Sequence, residues 1–332
     1  MEKLEKANEL LLQIVKRYPN ISPVSLDDYD LFQSFFAKEK QHTYGNTWTY
    51  VTQGVYGLGP NNLGYKYYDG ENLSMLATYP KILEPETIMF YWSRPMGETV
   101  LEKIVNISGD IKKKYNLSTH VKKIFPEQAD KLKRLGLKDI STYPWYPSVH
   151  SEDDTFPELI IDVKNTISLF DNASRRRNIR HSYLRAQKIV SENHVSVSDK
   201  NIKEDGWKVI EQFFIEKETY KKEILSTKYD YHNMIFNNVG NQNLVRNVVY
   251  INSVPMAFYA TDISVDGYTN AYANIVLRGK IPYLSDLVLT QMITNTNTKF
   301  LNMGGSEDES IHRFKLKYVP VQVNQMYWVT NN

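Results

Sequence analysis

The chain has 332 residues, a length that suits two domains, and its 42% apolar and 23% charged residues are the balance of an ordinary globular protein. Lys and Arg number 40 against 38 Asp and Glu, a net charge of +2 that by itself implies no nucleic-acid surface, and the absence of cysteine excludes disulfides, thiolate metal sites and a cysteine nucleophile. The N-terminus, MEKLEKANELLLQIVKRYPN, is charged from its second residue and lacks a small-residue cleavage site. No apolar run reaches the roughly 20 residues of a membrane span, so a cytoplasmic protein is expected.

A charged first helix is expected over about Leu4–Arg17, and Ser25 with Asp28 reads as a capping box that opens a second. Gly45–Gly64 is rich in aromatics and glycine. Its Gly57-Leu-Gly59 has Asn62 where a dinucleotide fingerprint needs a third glycine, and it leads to a strand, so the stretch reads as a loop. Leu63–Tyr68 and Leu73–Tyr79 read as strands joined by Asp69-Gly70, a hairpin signal. A third strand, Thr87–Trp92, passes through Arg94-Pro95-Met96-Gly97 into a helix over Glu98–Tyr115. A strand (His120–Ile124), a helix (Pro126–Leu135) and a strand (Asp139–Tyr143) complete the order β-β-β-α-β-α-β.

The second half repeats that order. Strands Leu244–Ile251, Pro255–Ile263 and Tyr268–Leu277, joined at Asn252-Ser253 and Asp266-Gly267, lead to a helix over Tyr283–Thr294. A strand (Lys299–Asn302), a helix (Ser310–Lys317) and a strand (Val319–Trp328) follow. Two copies of one α/β unit are expected. Tyr143-Pro144-Trp145-Tyr146-Pro147 and the acidic run Ser151–Asp154 read as the linker, which divides the chain into domains 1–155 and 156–332.

This order resembles that of the GNAT acyltransferase fold, and a tandem pair of it resembles the FemAB-like aminoacyl and acyl transferases. Two segments carry the resemblance. Asn172–Lys188, NASRRRNIRHSYLRAQK, is a basic helix of the R-x-x-I-R-x-[AS] kind, which in that family opens the second unit. Phe300–Pro320, FLNMGGSEDESIHRFKLKYVP, is similar to the family's closing pattern of strand, Gly-Gly turn, polar run, Phe-Lys and Pro. The first half, with Pro95-x-Gly97 after a strand, is most similar to the catalytic half of phosphatidylglycerol lysyltransferases. The resemblance implies two tandem GNAT-like units, each a mixed, mostly antiparallel central sheet flanked by helices.

The implied chemistry is transfer of an acyl or aminoacyl group to an amine. In GNAT-like enzymes two central parallel strands splay apart and hold the acyl donor, and the amine attacks its carbonyl directly. Positioning and oxyanion stabilisation then lower the barrier, and a base need only take a proton from an ammonium. The site is expected at Asn302-Met303-Gly304-Gly305-Ser306-Glu307-Asp308. Glu307 and Asp308 are the candidates to hold or deprotonate the amine, although helix capping is the competing reading. Tyr272, Asn274, Asn302, Gly304, Gly305, Ser306 and Lys315 are the expected substrate contacts, Lys315 through a phosphate or carboxylate.

Acyl-CoA-dependent relatives carry a pyrophosphate loop between the third strand and the long helix. In the second half that register reads Arg278-Gly279-Lys280-Ile281-Pro282-Tyr283, with Ile and Tyr where glycines belong. In the first half Arg94 and Gly97 keep an Arg and a Gly at a helix N-terminus, an anion site or plain capping. The degraded loop tips the expectation toward aminoacyl-tRNA as donor, with Arg176, Arg177 and Arg180 spaced to share one helix face and track phosphates. A solvated basic face explains them as well. The expected co-substrate is aminoacyl-tRNA or acyl-CoA, with no tightly bound cofactor and no metal. The expected partners are an amine-bearing acceptor and tRNA, with peripheral membrane association where the acceptor is a lipid. An acyl-CoA-dependent N-acyltransferase and a non-catalytic scaffold with a degenerate GNAT core are the alternatives. Scattered histidines, Gly305-Ser306 without flanking glycines and Gly279-Lys280 without an upstream glycine argue against zinc, nucleophile-elbow and P-loop chemistry.

Overall fold

Apolar spacing and turn chemistry build the first sheet. The computed structural model describes residues 9, 12–56, 64–80, 88–139, 157–171, 177–218, 231–232, 234–236, 243–277, 279, 281–306 and 309–332. β1 (Ile21–Pro23), β2 (Tyr65–Tyr68), β3 (Leu73–Pro80) and β4 (Ile88–Met96) pair antiparallel in succession, with Tyr65 opposite Leu76 and Leu76 opposite Trp92. The capping box at Ser25 forms, its N–H donating to Asp28 Oδ2 at 2.7 Å ahead of α1 (Tyr29–Phe36). The expected loop at Gly45–Gly64 is in part a helix, α2 (Trp48–Tyr56). Trp48 and Val51, one turn apart, bury against Phe32, Leu73 and Met75, and that packing outweighs the glycine content.

α3 (Val100–Tyr115) buries Val100, Leu101, Ile104, Ile107 and Ile111, the stripe its spacing predicts, and ends on left-handed Asn116 with Lys112, Lys113 and Lys114 in its last turn. Against that stripe lie Phe90, Trp92 and Val121, the last from β5 (Thr119–Ile124). β5 runs parallel to β4 and is followed by α4 (Pro126–Arg134) and the two-residue β6 (Lys138–Asp139). The strand expected over Asp139–Tyr143 lies outside the described residues beyond Asp139.

The second sheet uses β7 (Glu158–Asp162), β8 (Val195–Ser198), β9 (Leu244–Ile251), β10 (Val254–Ile263), β11 (Tyr268–Val276), β12 (Phe300–Asn302) and β13 (Gln322–Asn324) in the order β13-β7-β12-β11-β10-β9-β8. β8 to β11 are antiparallel neighbours, whereas β11 and β12 are parallel. Its described helices include α5 (Val163–Ser168), α6 (Arg177–Glu192), α7 (Trp207–Glu218), α8 (Leu284–Thr294) and α9 (Glu309–Leu316), with a π-turn at Ile202–Gly206 before α7. Phe258, Leu287, Val288 and Leu301 are among its buried side chains.

The strand expected over Val319–Trp328 is two strands in two sheets. β13 is the edge neighbour of β7, and β14 (Tyr327–Thr330) lies between β5 and β6 of the first sheet, giving the order β1-β2-β3-β4-β5-β14-β6. Val319 holds φ +60 and Pro320 has no N–H, so pairing begins only after them. Unit one therefore comprises the residues before Leu159 together with Gly305, Ser306 and Asn324–Asn332, and unit two the residues from Leu159 to Gly304 and on to Val323. No described helix is long and apolar enough to cross a membrane.

Candidate active site

In unit two the sheet divides at its parallel pair. β11 and β12 pair only over Tyr268–Asn270 and Phe300–Asn302. β11 runs on to Val276 against β10, while the chain after Asn302 stays with β7. There the Met303 N–H donates to Leu159 O at 2.8 Å, and the Leu159 N–H donates to Gly304 O at 3.4 Å. The parallel strands therefore part after Asn270 and Asn302. β11 also bulges at this level, since Thr261 faces Ala271 and Ala260 faces Ala273, which makes Tyr272 the extra residue.

Four of the expected substrate contacts gather at this parting. Asn302 is buried, and its Oδ1 accepts the Gly304 N–H at 2.8 Å. Gly304 holds φ +68, a turn that the absence of Cβ makes cheap. Lys315 on α9 donates from Nζ to Gly304 O at 3.3 Å, so it braces the turn. Tyr272 is buried in the bulge, and Asn274, two residues on, is exposed. Gly305 is half-buried, and Ser306 is buried with its hydroxyl unpaired among the described residues. Glu307 and Asp308 lie outside the described residues, directly before α9. Sequence reasoning passed over His312 on that helix, whose pKa burial, and then the charge of Lys315, hold below the ordinary value.

The basic helix forms as α6. It buries Ile179, Ser182, Ala186 and Ile189, leaving Arg180 half-buried and Lys188 exposed. Arg185, its side chain 40% exposed, lies 3.7 Å from Asp286 Oδ2 and 4.2 Å over the Tyr283 ring. Arg176 and the side chain of Arg177 lie outside the described residues.

Unit one opens at the corresponding place and fills the opening with its own side chains. β4 and β5 pair over Phe90–Ser93 and Thr119–Lys122, after which β4 bulges at Arg94 and Pro95. Arg94 holds φ +53 and Lys123 holds φ +58, left-handed conformations uncommon for such residues. The Arg94 side chain is fully buried. Its Nη2 lies 3.2 Å from Glu39 Oε2, and its Nη1 points at Lys123 O at 3.5 Å. Lys123 lies 3.7 Å from Glu158 Oε1, and that buried carboxylate accepts from Thr43 Oγ1 at 2.8 Å and the Tyr44 N–H at 2.9 Å. Arg94 thus sits in the interior, not at the N-terminus of α3. Gly97 is exposed with φ +114, and a Cβ there would lie 2.6 Å from both Asn72 Oδ1 and Glu71 O, so close approach to Asn72 accounts for it. Sequence reasoning missed Glu39, Lys123 and Glu158, because nothing local marks a charge as buried.

Among the described residues, two seven-stranded mixed sheets, each parted beside a central parallel pair, define a tandem GNAT-like fold. No family model and no curated protein matches the chain. Among solved structures, a protein of unknown function from Bacteroides thetaiotaomicron is similar at 10% identity and a TM-score of 0.71, over 94% of this chain and 99% of that one. The C-terminal domain assigned to a lysylphosphatidylglycerol synthetase of Agrobacterium fabrum is similar at 9% identity and a TM-score of 0.59, over 93% and 92%. A tandem GNAT protein from the clavulanic acid biosynthesis pathway is similar at 8% identity and a TM-score of 0.53, over 93% and 97%. The resemblance read from the sequence holds at the level of the fold.

Proposed function

We propose that the chain transfers an acyl or aminoacyl group from an activated donor to an amine, with the chemistry at the parting of β11 and β12. The observation that carries this reading is the early end of the β11–β12 ladder beside the Tyr272 bulge. Such a parting frees strand edges to accept an extended acyl group, and a bulge re-aims a main-chain amide toward its carbonyl oxygen. The amine nitrogen attacks the carbonyl carbon as the bond to the donor's oxygen or sulfur breaks. The ammonium proton passes to Glu307 or Asp308, and the leaving group takes up a proton. Tyr272, Asn274, Asn302 and the Gly304-Gly305-Ser306 turn are the proposed substrate contacts.

Aminoacyl-tRNA is the preferred donor, and Arg176, Arg177 and Arg180 are its proposed phosphate contacts. The register that would cradle a pyrophosphate supports this, since it carries Ile281 and Tyr283 in place of glycines, with Tyr283 itself left-handed and stacked under Arg185. Acyl-CoA remains the second reading. The test is transfer to a panel of amines, lipid and soluble, from aminoacyl-tRNA and from acyl-CoA. Product with aminoacyl-tRNA alone supports the preferred reading. Product with acyl-CoA alone selects the second, and no product with either donor favours a binding protein.

A further inference from the structure

Within unit two, the chain after β8 forms a cleft of about 350 Å³ against β9, lined by residues 199–204, Ile235 and Arg246. Its wall is pinned at two points. The Lys200 N–H donates to Ser198 Oγ at 3.2 Å, and the Tyr250 hydroxyl on β9 donates to Asp205 Oδ2 at 2.8 Å, which fixes the π-turn against the sheet. Arg246, on β9, is left only partly satisfied. Its Nη1 donates to Met234 O at 3.1 Å and to Ile235 O at 3.0 Å, which locks the plane of the guanidinium. Nε and Nη2 bond to none of the described residues, yet neither is sealed off from solvent. Their N–H bonds run side by side along one edge of the plane, a fork that matches two oxygens of one anion. Burial is the one cause that pulls the pKa of Arg246 down, with no carboxylate beside it to hold the charge. A half-buried cation in that state calls for a counterion.

The charge of the lining selects the ligand. Glu204 Oε1 is already matched by Lys208 Nζ at 2.9 Å. Lys200 and Lys203 make no ion pair among the described residues, so with Arg246 they stand against Asp199 alone. Three cations and one carboxylate leave an excess of two positive charges. A carboxylate or a phosphodiester meets half of that excess, whereas a phosphate monoester carries about −1.5 to −2 at neutral pH. The cleft has room beyond the phosphate, and Ile202 and Ile235, both buried, give it an apolar wall for an organic part. We infer that this cleft binds a small organic phosphate monoester, gripped by the Nε–Nη2 edge of Arg246 and neutralised by Lys200 and Lys203. The site is separate from the β11–β12 parting and stands whether or not the chain is a transferase.

Isothermal titration of the full chain with glycerol 3-phosphate, inorganic phosphate, dimethyl phosphate and acetate tests this. Glycerol 3-phosphate should bind tightest, and its affinity should fall as pH drops through about 6, where a monoester loses its second charge. Arg246→Lys keeps a cation for the Met234 and Ile235 carbonyls but removes the fork, and should weaken binding about tenfold or more. Lys200→Ala combined with Lys203→Ala, both at exposed positions, should weaken it several-fold with Tm unaltered. No binding of glycerol 3-phosphate or inorganic phosphate would overturn the site. Dimethyl phosphate bound as tightly as the monoester would overturn the ligand class in favour of a phosphodiester. An affinity unchanged in both variants would rule out this cleft as the place of binding.

Discussion

At the parting of β4 from β5, unit one places Arg94 and Lys123, both left-handed and both buried against carboxylates. At the parting of β11 from β12, unit two places a bulged tyrosine and a glycine turn braced by Asn302 and Lys315. The same topological feature is filled with paired charge in one unit and edged by small polar groups in the other. Buried ions are costly unless paired, and left-handed backbone at a long side chain costs about 1–3 kcal/mol per residue. Such features persist where the surroundings over-determine them. In unit one they close the gap between the strands, since Arg94 Nη1 reaches the carbonyl of Lys123. Under the proposed function, the parting of β4 from β5 is scaffold and the parting of β11 from β12 carries the transfer.

Glu307→Ala combined with Asp308→Ala should cause the largest change, a loss of about 10²–10⁴-fold in transfer with circular dichroism and Tm unaltered. Full activity in that variant would remove both carboxylates from the mechanism. Next come two substitutions whose effects should cross. Lys123→Met in unit one removes the cation 3.7 Å from the buried Glu158 carboxylate and should cost about 3–5 kcal/mol in urea unfolding, with kcat unchanged in the folded fraction. Asn302→Ala in unit two removes the acceptor for the Gly304 N–H and should cost only about 1–3 kcal/mol, yet lower kcat. Transfer that follows Lys123 instead of Asn302 would reverse the assignment of the two units.

Gly97→Ala should destabilise by about 1–3 kcal/mol through its positive φ and its contact with Asn72, while leaving KM for the donor unchanged. A raised KM for acyl-CoA would instead place the donor in unit one. The smallest expected effect is electrostatic. If tRNA is bound along α6, log Kd against log salt should be steep, and Arg180→Ala should lower the slope by about one. An unchanged slope would take Arg180 out of the interface.

Much of the architecture is local and was legible in the residues. The antiparallel runs from Leu244 to Val276, the stripe of α3 and the Ser25 cap follow from alternation, helical spacing and capping chemistry, all of which involve neighbours in the chain. The glycines at 304 and 305 marked the turn of the candidate site for the same reason. α2 escaped because its helical spacing lies in a glycine-rich stretch, and only its packing on Phe32 and Met75 shows which tendency prevails.

By itself, the sequence determined many of the strands, helices and turns, those from Leu244 to Val276 among them, and suggested that the unit is repeated. The tertiary structure alone decided that β14 inserts between β5 and β6 while β13 stays beside β7, although both come from one extended-looking run. It also decided that Arg94 turns inward to Glu39. Strand partners and the burial of a charge depend on residues far away in the chain. Hydrogen-bond pairing and desolvation are settled only when those distant groups meet.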